Sequence, residues 1–322
     1  MLEKLLALME RRDSFVLTTH DPADADGLGA QMVMARLLEG RGKSVRILNG
    51  GPVPEQFAFM DPRGVVERWD ARGTAAERAA LIVLDTADEN QLGQARELVG
   101  RAREVFAIDH HEAKPGSGMD GIVDASAAST CELAVELALA AGASIDLETA
   151  FAAYVGLVYD TGFFAYSKVG ERTFRVAGEL VRLGADPAKA HGLLRQSAST
   201  KALLLQQRAL GSLMLHRSGA IAAQVVRRED FDQTGAASGD TDGFVNFPLR
   251  SRETRVSFLV KETPEGKVCC SLRSKGALNV AKIAQELGGG GHLNASGFKS
   301  DLDVDATAAK TLAKIMEHME AQ

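Results

Sequence analysis

The chain lacks the features that would place it in a membrane or in an oxidising compartment. It has three cysteines, Cys131, Cys269 and Cys270, which cannot all pair. Two of them are neighbours in a strand-like run, where side chains alternate between faces and so point apart. That pattern speaks against a disulfide framework and makes a reducing cytoplasm the expected setting. No run is long and apolar enough to read as a membrane span. The opening segment MLEKLLALMERR spaces Leu2, Leu5, Leu6 and Met9 as on a helix, but Glu3, Lys4 and Glu10 break it, so it lacks a continuous secretory core. Positive charge is also short. The net charge of −6 excludes the strong basic field of a protein that coats long nucleic acid.

What is present is ordinary for a soluble globular protein. The 322 residues are 45% apolar and 25% charged, enough for a real core and about two domains. The acid excess lies in residues 1–200, since residues 201–322 carry 16 basic side chains against 14 acidic ones. Up to about residue 185, short β-rich runs alternate with amphipathic segments. Strands are expected at Phe15–Thr19, Ser44–Leu48, Leu81–Asp85 and Val105–Ile108, with helices over Gly29–Glu39 and Gln91–Gly100. Further helices are expected over Thr130–Ala141 and Thr173–Leu183, the latter stopped by Gly184 and Pro187. Such alternation predicts a parallel sheet with crossover helices.

The character then changes. Strands are expected at Ile221–Val226, Val256–Lys261 and Lys267–Leu272, followed by a helix over Val280–Leu287. The Gly/Ser/Asp-rich stretch 234–243 reads as a mobile loop within this second part. The expected class is α/β: an N-terminal parallel-sheet domain over residues 1–186, a helical connector over 187–210, and a smaller mixed-sheet α/β domain over 211–322. The active site is expected in the cleft between the two domains.

Metal-type ligands gather where the predicted strands end. His20, Asp24 and Asp26 in THDPADADGLGA follow the first strand, Asp85 and Asp88 follow the third, and Asp109-His110-His111 follows Val105–Ile108. Asp160 in VYDTGFF comes after the apolar stretch Tyr154–Val158. In an open α/β sheet such residues converge at the carboxyl edge of the strands. Imidazole with several carboxylates and no cysteine suits hard or borderline divalent cations, Mn²⁺ or Mg²⁺ before softer metals. Two such ions roughly 3.5–4 Å apart need a bridging carboxylate, and Asp85, on the central strand, is placed for it.

A second constellation lies near the other end. Arg273 can hold a phosphate by two hydrogen bonds, and the run Gly288, Gly289, Gly290 and Gly291, followed by His292, lets backbone N–H groups approach a phosphate closely. Phe163, Phe164 and Tyr166 offer aromatic faces on which a base can stack, although burial is the commoner role of aromatics beside a strand end.

As an ordered set, HDPADADGLGA, LDTAD, DHH, VYDTGFFAYS and CSLRSKGALNVAKIAQELGGGGHLNASG resemble the DHH phosphoesterases with the DHH-associated C-terminal domain. The spacing of the last segment looks most like the nano-RNase and pAp-phosphatase branch. Its members release mononucleotides from very short oligonucleotides and remove the 3′-phosphate of 3′-phosphoadenosine 5′-phosphate (pAp). The resemblance implies a two-metal hydrolase, usually Mn²⁺-dependent. It implies His20, Asp24 and Asp85 at one metal and Asp26, Asp85, His110 and Asp160 at the other. His111 would face the substrate phosphate, Asp109 would support the histidines, and Arg273 with Gly288 to His292 would grip the nucleotide end away from the scissile phosphate. One position departs: the residue before Asp24 is Ala23, where the family commonly has proline.

The expected partners are short RNA or DNA oligonucleotides or small nucleotides, with no membrane; a homodimer is left open. Alternatives are a hydrolase of linear dinucleotides from cyclic-dinucleotide signalling and a nucleotide-binding module without catalysis. The complete ligand set argues against the second.

Overall fold

The computed structural model describes residues 2–71, 78–112 and 118–320. The chain divides into two compact units, Met1–Gln196 and Ser197–Gln322.

In the first unit the elements run α1 (Leu2–Arg11), β1 (Ser14–Thr19), α2 (Ala25–Gly40), β2 (Ser44–Asn49), β3 (Val66–Arg68), β4 (Ala80–Leu84), α3 (Glu97–Arg101), β5 (Glu104–Asp109), β6 (Gly121–Val123), α4 (Thr130–Ala140), α5 (Leu147–Asp160), α6 (Glu171–Arg182) and α7 (Pro187–Arg195). The six strands form one sheet in the order β3-β2-β1-β4-β5-β6. Every pairing is parallel, as the sequence alternation predicts. Alternate residues feed cores on both faces: Phe15 and Leu17 of β1 pack with α2 and α5, and Val16 packs with Leu48, Leu81 and Leu98 on the other side. The order reverses between β1 and β4, which opens a crevice at their carboxyl ends where α/β sheets take ligands.

Two expected elements differ. The segment 91–100 is not a single helix but two 3-10 turns, Glu89–Gln91 and Gly93–Arg96, and then the short α3. Gly93, at φ +55°, breaks it. The apolar stretch before Asp160 is the end of α5, a helix whose residues 152–158 are all buried. A helix covered on every side has no polar face, so periodicity does not distinguish it from a buried strand.

The second unit comprises α8 (Thr200–Gly211), β7 (Met214–His216), β8 (Ile221–Val226), α9 (Arg228–Thr234), β9 (Val256–Glu262), β10 (Val268–Ser274), α10 (Val280–Glu286), β11 (Gly290–His292), β12 (Ala295–Ser300) and α11 (Val304–Glu320). Its sheet has the order β11-β12-β10-β9-β8-β7. It is mixed: β8 and β9 pair in parallel and the rest antiparallel. Helices α10 and α11 cover one face, and Leu205, Ala209, Phe231, Phe244 and Val245 cover the other. Residues 187–210 are shared between the units, α7 packing on α5 and α8 on β8 and α9. The stretch 234–243 carries a 3-10 turn, Ser238–Thr241, tied down by Lys261, whose Nζ donates to Ser238 O at 2.9 Å and Thr241 Oγ1 at 2.7 Å. Among the described residues no helix is long and apolar enough to cross a membrane.

Candidate metal centre

Three chain turns at the carboxyl edge of the first sheet build one acidic cluster. After β1 the chain enters α2 with Asp24 as its N-cap, the carboxylate accepting from the backbone N–H groups of Asp26 at 3.0 Å and Gly27 at 3.1 Å. Gly27 has no side chain because one would collide with the Thr19 hydroxyl. Gly156 likewise lets α5 approach, since a Cβ there would strike Cys131 Sγ and come within 2.7 Å of Ala25 O. These close contacts bring the start of α2 beside the end of α5.

Asp26 is fully buried, and its carboxylate accepts from the backbone N–H of Thr130 at 2.6 Å and of Cys131 at 2.9 Å, the first turn of α4. A helix N-terminus thus offsets part of the cost of burying that charge. Asp85, beyond β4, takes a left-handed backbone (φ +63°) and accepts from Thr130 Oγ1 at 2.9 Å. Thr130 and the start of α4 are supporting groups that the reading of ligand motifs missed. The signal was Ser129, a capping residue three before Glu132, whose hydroxyl accepts from Glu132 N at 3.0 Å.

The ligand atoms form groups that share members. His20, Asp24 and Asp85 make one, Asp26, His110 and Asp160 a second, and Asp85 with His110 and His111 a third, the atoms of each lying within 4.8 Å of one another. Asp85 Oδ2 is 3.4 Å from His20 Nε2, and its Oδ1 is 3.5 Å from His110 Nε2. His20 Nε2 is also 3.5 Å from Asp24 Oδ1, and His110 Nε2 lies 3.2 Å from Asp160 Oδ2 and 4.0 Å from Asp26 Oδ2.

His111 differs from His110. Its Nδ1 is bonded to Asp109 Oδ1 at 2.7 Å, and its backbone N–H donates to the same oxygen at 3.1 Å. Asp88 stands apart from the cluster as the N-cap of the following 3-10 turn, accepting from Asn90 N at 3.0 Å. Arg273, in the second unit, donates through Nη1 to the carbonyl of Leu272 at 2.9 Å. The expected loop of glycines is in part β11. Gly289 and Gly291 are demanded by packing, because a Cβ on Gly291 would lie 2.5 Å from Ala295 O and one on Gly289 would strike Gly297 O, whereas Gly288 and Gly290 face open space. The His292 side chain lies outside the described residues.

The electrostatics favour a proton or a cation within the cluster. Burial, then the charges of Asp85 and Asp24, hold the Asp26 carboxyl well above its usual range. Burial and Asp24 push Asp85 to about 6, and burial with Asp26 and Asp24 pushes Asp160 to about 8. Asp160 also ends α5, where the helix dipole is negative and disfavours a carboxylate. Burial alone would lower His20, but its contacts with Asp24 and Asp85 outweigh this and raise it to about 11. His110 is lowered to about 4 by burial and by the charges of His111 and Lys168, so its ring is neutral. Its Nδ1 lies 3.4 Å from Ala127 O, leaving the lone pair of Nε2 toward the carboxylates. That nitrogen is buried and makes no hydrogen bond. A neutral imidazole held by a carbonyl on one nitrogen and facing oxygen ligands with the other is the arrangement a divalent cation fits.

Residues 14–158 match the DHH family N-terminal domain and residues 218–319 match the DHHA1 domain. The chain is 28% identical over 311 residues to the bifunctional oligoribonuclease and PAP phosphatase NrnA of Thermus thermophilus, covering 94% of this chain and 89% of that protein. It is 29% identical to the cyclic-di-AMP phosphodiesterase PdeA of Listeria monocytogenes over 98% of this chain but only 49% of that one. Among solved structures, an exopolyphosphatase-related protein from Bacteroides fragilis superposes with a TM-score of 0.92 at 23% identity, covering 98% of this chain and 96% of that one. That likeness concerns the fold.

Proposed function

The chain belongs to the DHH phosphoesterase family, its N-terminal DHH domain followed by a DHHA1 domain, and on that premise we propose a Mn²⁺-dependent phosphohydrolase of very short oligonucleotides and of pAp. The observation that carries the reading is Asp85, whose two oxygens turn to two histidines in two adjoining ligand groups. A carboxylate so placed would serve as a ligand shared by two cations. His20, Asp24 and Asp85 would hold one ion and Asp26, Asp85, His110 and Asp160 the other. Bound there, the ions would supply Lewis acidity to the phosphoryl oxygens and make water acidic enough to attack.

The remaining roles fall to the chain itself. Asp109 fixes the ring of His111 through Nδ1, and the ring so held is proposed to meet the substrate phosphate. Burial lowers the pKa of His111, but Asp109 and Asp85 outweigh it and raise it to about 9. In the metal-free chain it is therefore protonated near neutrality, and a protonated His111 would be able to donate to the phosphate or to the departing oxygen. Arg273 and the glycines from Gly288 to Gly291, with His292, are proposed to contact the nucleotide. The relatives named for oligoribonuclease and PAP phosphatase activity, matched along most of their length, support this substrate class. Three free cysteines favour a cytoplasmic setting.

A panel of pAp, di- to tetranucleotides, a long single strand, linear di-adenylate and pyrophosphate, assayed with Mn²⁺, tests the reading. Turnover of pAp and the short oligonucleotides is expected. Activity confined to pyrophosphate or to the long strand would overturn it.

A further inference from the structure

Between Asp160 and Lys168 the chain makes a turn that no regular element requires. Gly162, Phe163 and Phe164 take φ of +58°, +58° and +64° in succession. Two aromatic residues in the left-handed region are a costly conformation that persists only where the surroundings over-determine it. Here they do. Phe163 N donates to Val158 O at 2.8 Å, and the N–H groups of Ala165 and Tyr166 donate to Thr161 O at 2.9 and 3.1 Å. The Phe163 ring meets His191 edge-on at 5.4 Å and lies under the Arg195 guanidinium at 5.0 Å, while Phe164 stacks on Phe174 at 5.1 Å.

The turn starts on the candidate ligand Asp160 and ends at Lys168, which reaches the main chain of another, His110. Lys168 Nζ donates to the backbone carbonyl of His110 at 3.2 Å, which leaves two ammonium protons for other acceptors. The side chain is close enough to the cluster for its charge to act on both His110 and Asp160. Among the described residues no carboxylate is in salt-bridge contact with it. A charge count shows why that matters. Ionised Asp24, Asp26, Asp85 and Asp160 would balance two divalent cations, and His111 balances its partner Asp109. A phosphate entering the centre would then add negative charge, and Lys168 is a positive charge beside it with no carboxylate in salt-bridge contact among the described residues.

We propose that Lys168 is a substrate-binding residue that contacts the phosphate being hydrolysed and favours phosphate monoesters over diesters. A monoester is largely dianionic at neutral pH, its second pKa being about 6, and gains more from an added cation than a monoanionic diester does. This inference rests on reading the centre as a phosphohydrolase and adds a basis for its preference among substrates.

The test compares the Mn²⁺-loaded protein with Lys168→Met and Lys168→Arg. Calorimetry measures binding of inorganic phosphate, and kinetics measure kcat/KM on pAp and on a dinucleotide. Lys168→Met is expected to weaken phosphate binding by about ten- to a hundredfold and to reduce kcat/KM on pAp several times more than on the dinucleotide. Lys168→Arg should recover most of both, with metal content and Tm unchanged in either variant. Unaltered phosphate affinity in Lys168→Met, an equal loss on both substrates, or loss of bound metal would each overturn the proposal. Wild-type protein that hydrolyses neither substrate yet binds phosphate in a Lys168-dependent way would refute the phosphohydrolase reading and leave the contact standing.

Discussion

His110 Nε2 faces Asp160 Oδ2 across 3.2 Å without a hydrogen bond between them. The ring is neutral, because its pKa is lowered to about 4, and the acid is raised to about 8. A proton or a cation has to occupy that gap, and the rest of the cluster decides which one. Asp26 lies in the same ligand group and Asp85 Oδ1 is 3.5 Å from the same nitrogen, so a divalent ion there would draw on more partners than the two a proton satisfies.

Asp85→Asn should remove more activity than the loss of any peripheral ligand. The substitution weakens both ligand groups at once, whereas Asp24→Asn touches only the group that contains His20. Removing a single transition-state contact costs about 10²–10³-fold, and the Asp85 variant should exceed that while binding fewer than two metals. Two bound metals and near-normal kcat in Asp85→Asn would end the bridging assignment.

The two adjacent histidines should separate cleanly. His110→Ala should lose a metal, because its unpaired Nε2 points into the ligand group. His111→Ala should keep both metals and lower kcat by about 10²–10⁴-fold, since Asp109 already occupies its Nδ1. Metal analysis beside steady-state kinetics distinguishes them, and the opposite pattern would reverse the two roles.

Metal-free protein should lose stability as pH rises from about 6.5 to about 8. Folded Asp160, raised to about 8, and Asp85, raised to about 6, bind protons that the unfolded chain has already released near pH 4. The folded state therefore holds more protons, and its advantage falls as they leave. His20 acts in the same direction: its contribution is complete below the unfolded value near 6.5 and declines toward its folded value of about 11. Cations bound there would replace those protons, so saturating Mn²⁺ should raise Tm more at about pH 8 than at about pH 6.5. A chelated protein whose Tm rises over this interval would contradict the charge assignment.

Most of this cluster could be read in the sequence because its candidate ligands sit at strand ends, where a short apolar run stops at a polar residue. His20, Asp24 and Asp26, Asp85, and Asp109 to His111 all announce themselves in that way. Asp160 carried the same kind of signal for a different reason, the end of a helix buried on every side. The support from α4 was hidden because backbone N–H groups have no letter in a sequence: Thr130 and Cys131 hold Asp26 chiefly through the main chain. Lys168 was equally silent, since its position depends on a run of left-handed residues that an aromatic-rich sequence does not suggest.

Arg273→Ala should raise KM for pAp and dinucleotides far more than it alters hydrolysis of a small aryl phosphodiester. Arg273 belongs to the second unit and every proposed metal ligand to the first, so a contact from Arg273 would add grip without entering bond breaking. Losing a charged donor to phosphate costs about 1.5–3 kcal/mol, or about ten- to a hundredfold in kcat/KM. An equal loss on the aryl substrate would mean that Arg273 serves the fold or the catalytic centre instead.

The central claim is that the cluster around Asp85 holds two cations on which phosphate release depends. Protein stripped by a chelator and titrated with Mn²⁺ tests it most directly, with bound metal and release of phosphate from pAp followed in the same samples. The account predicts no turnover in the stripped protein and full turnover when two equivalents are bound. Full turnover without metal, or saturation at a single equivalent, would contradict it.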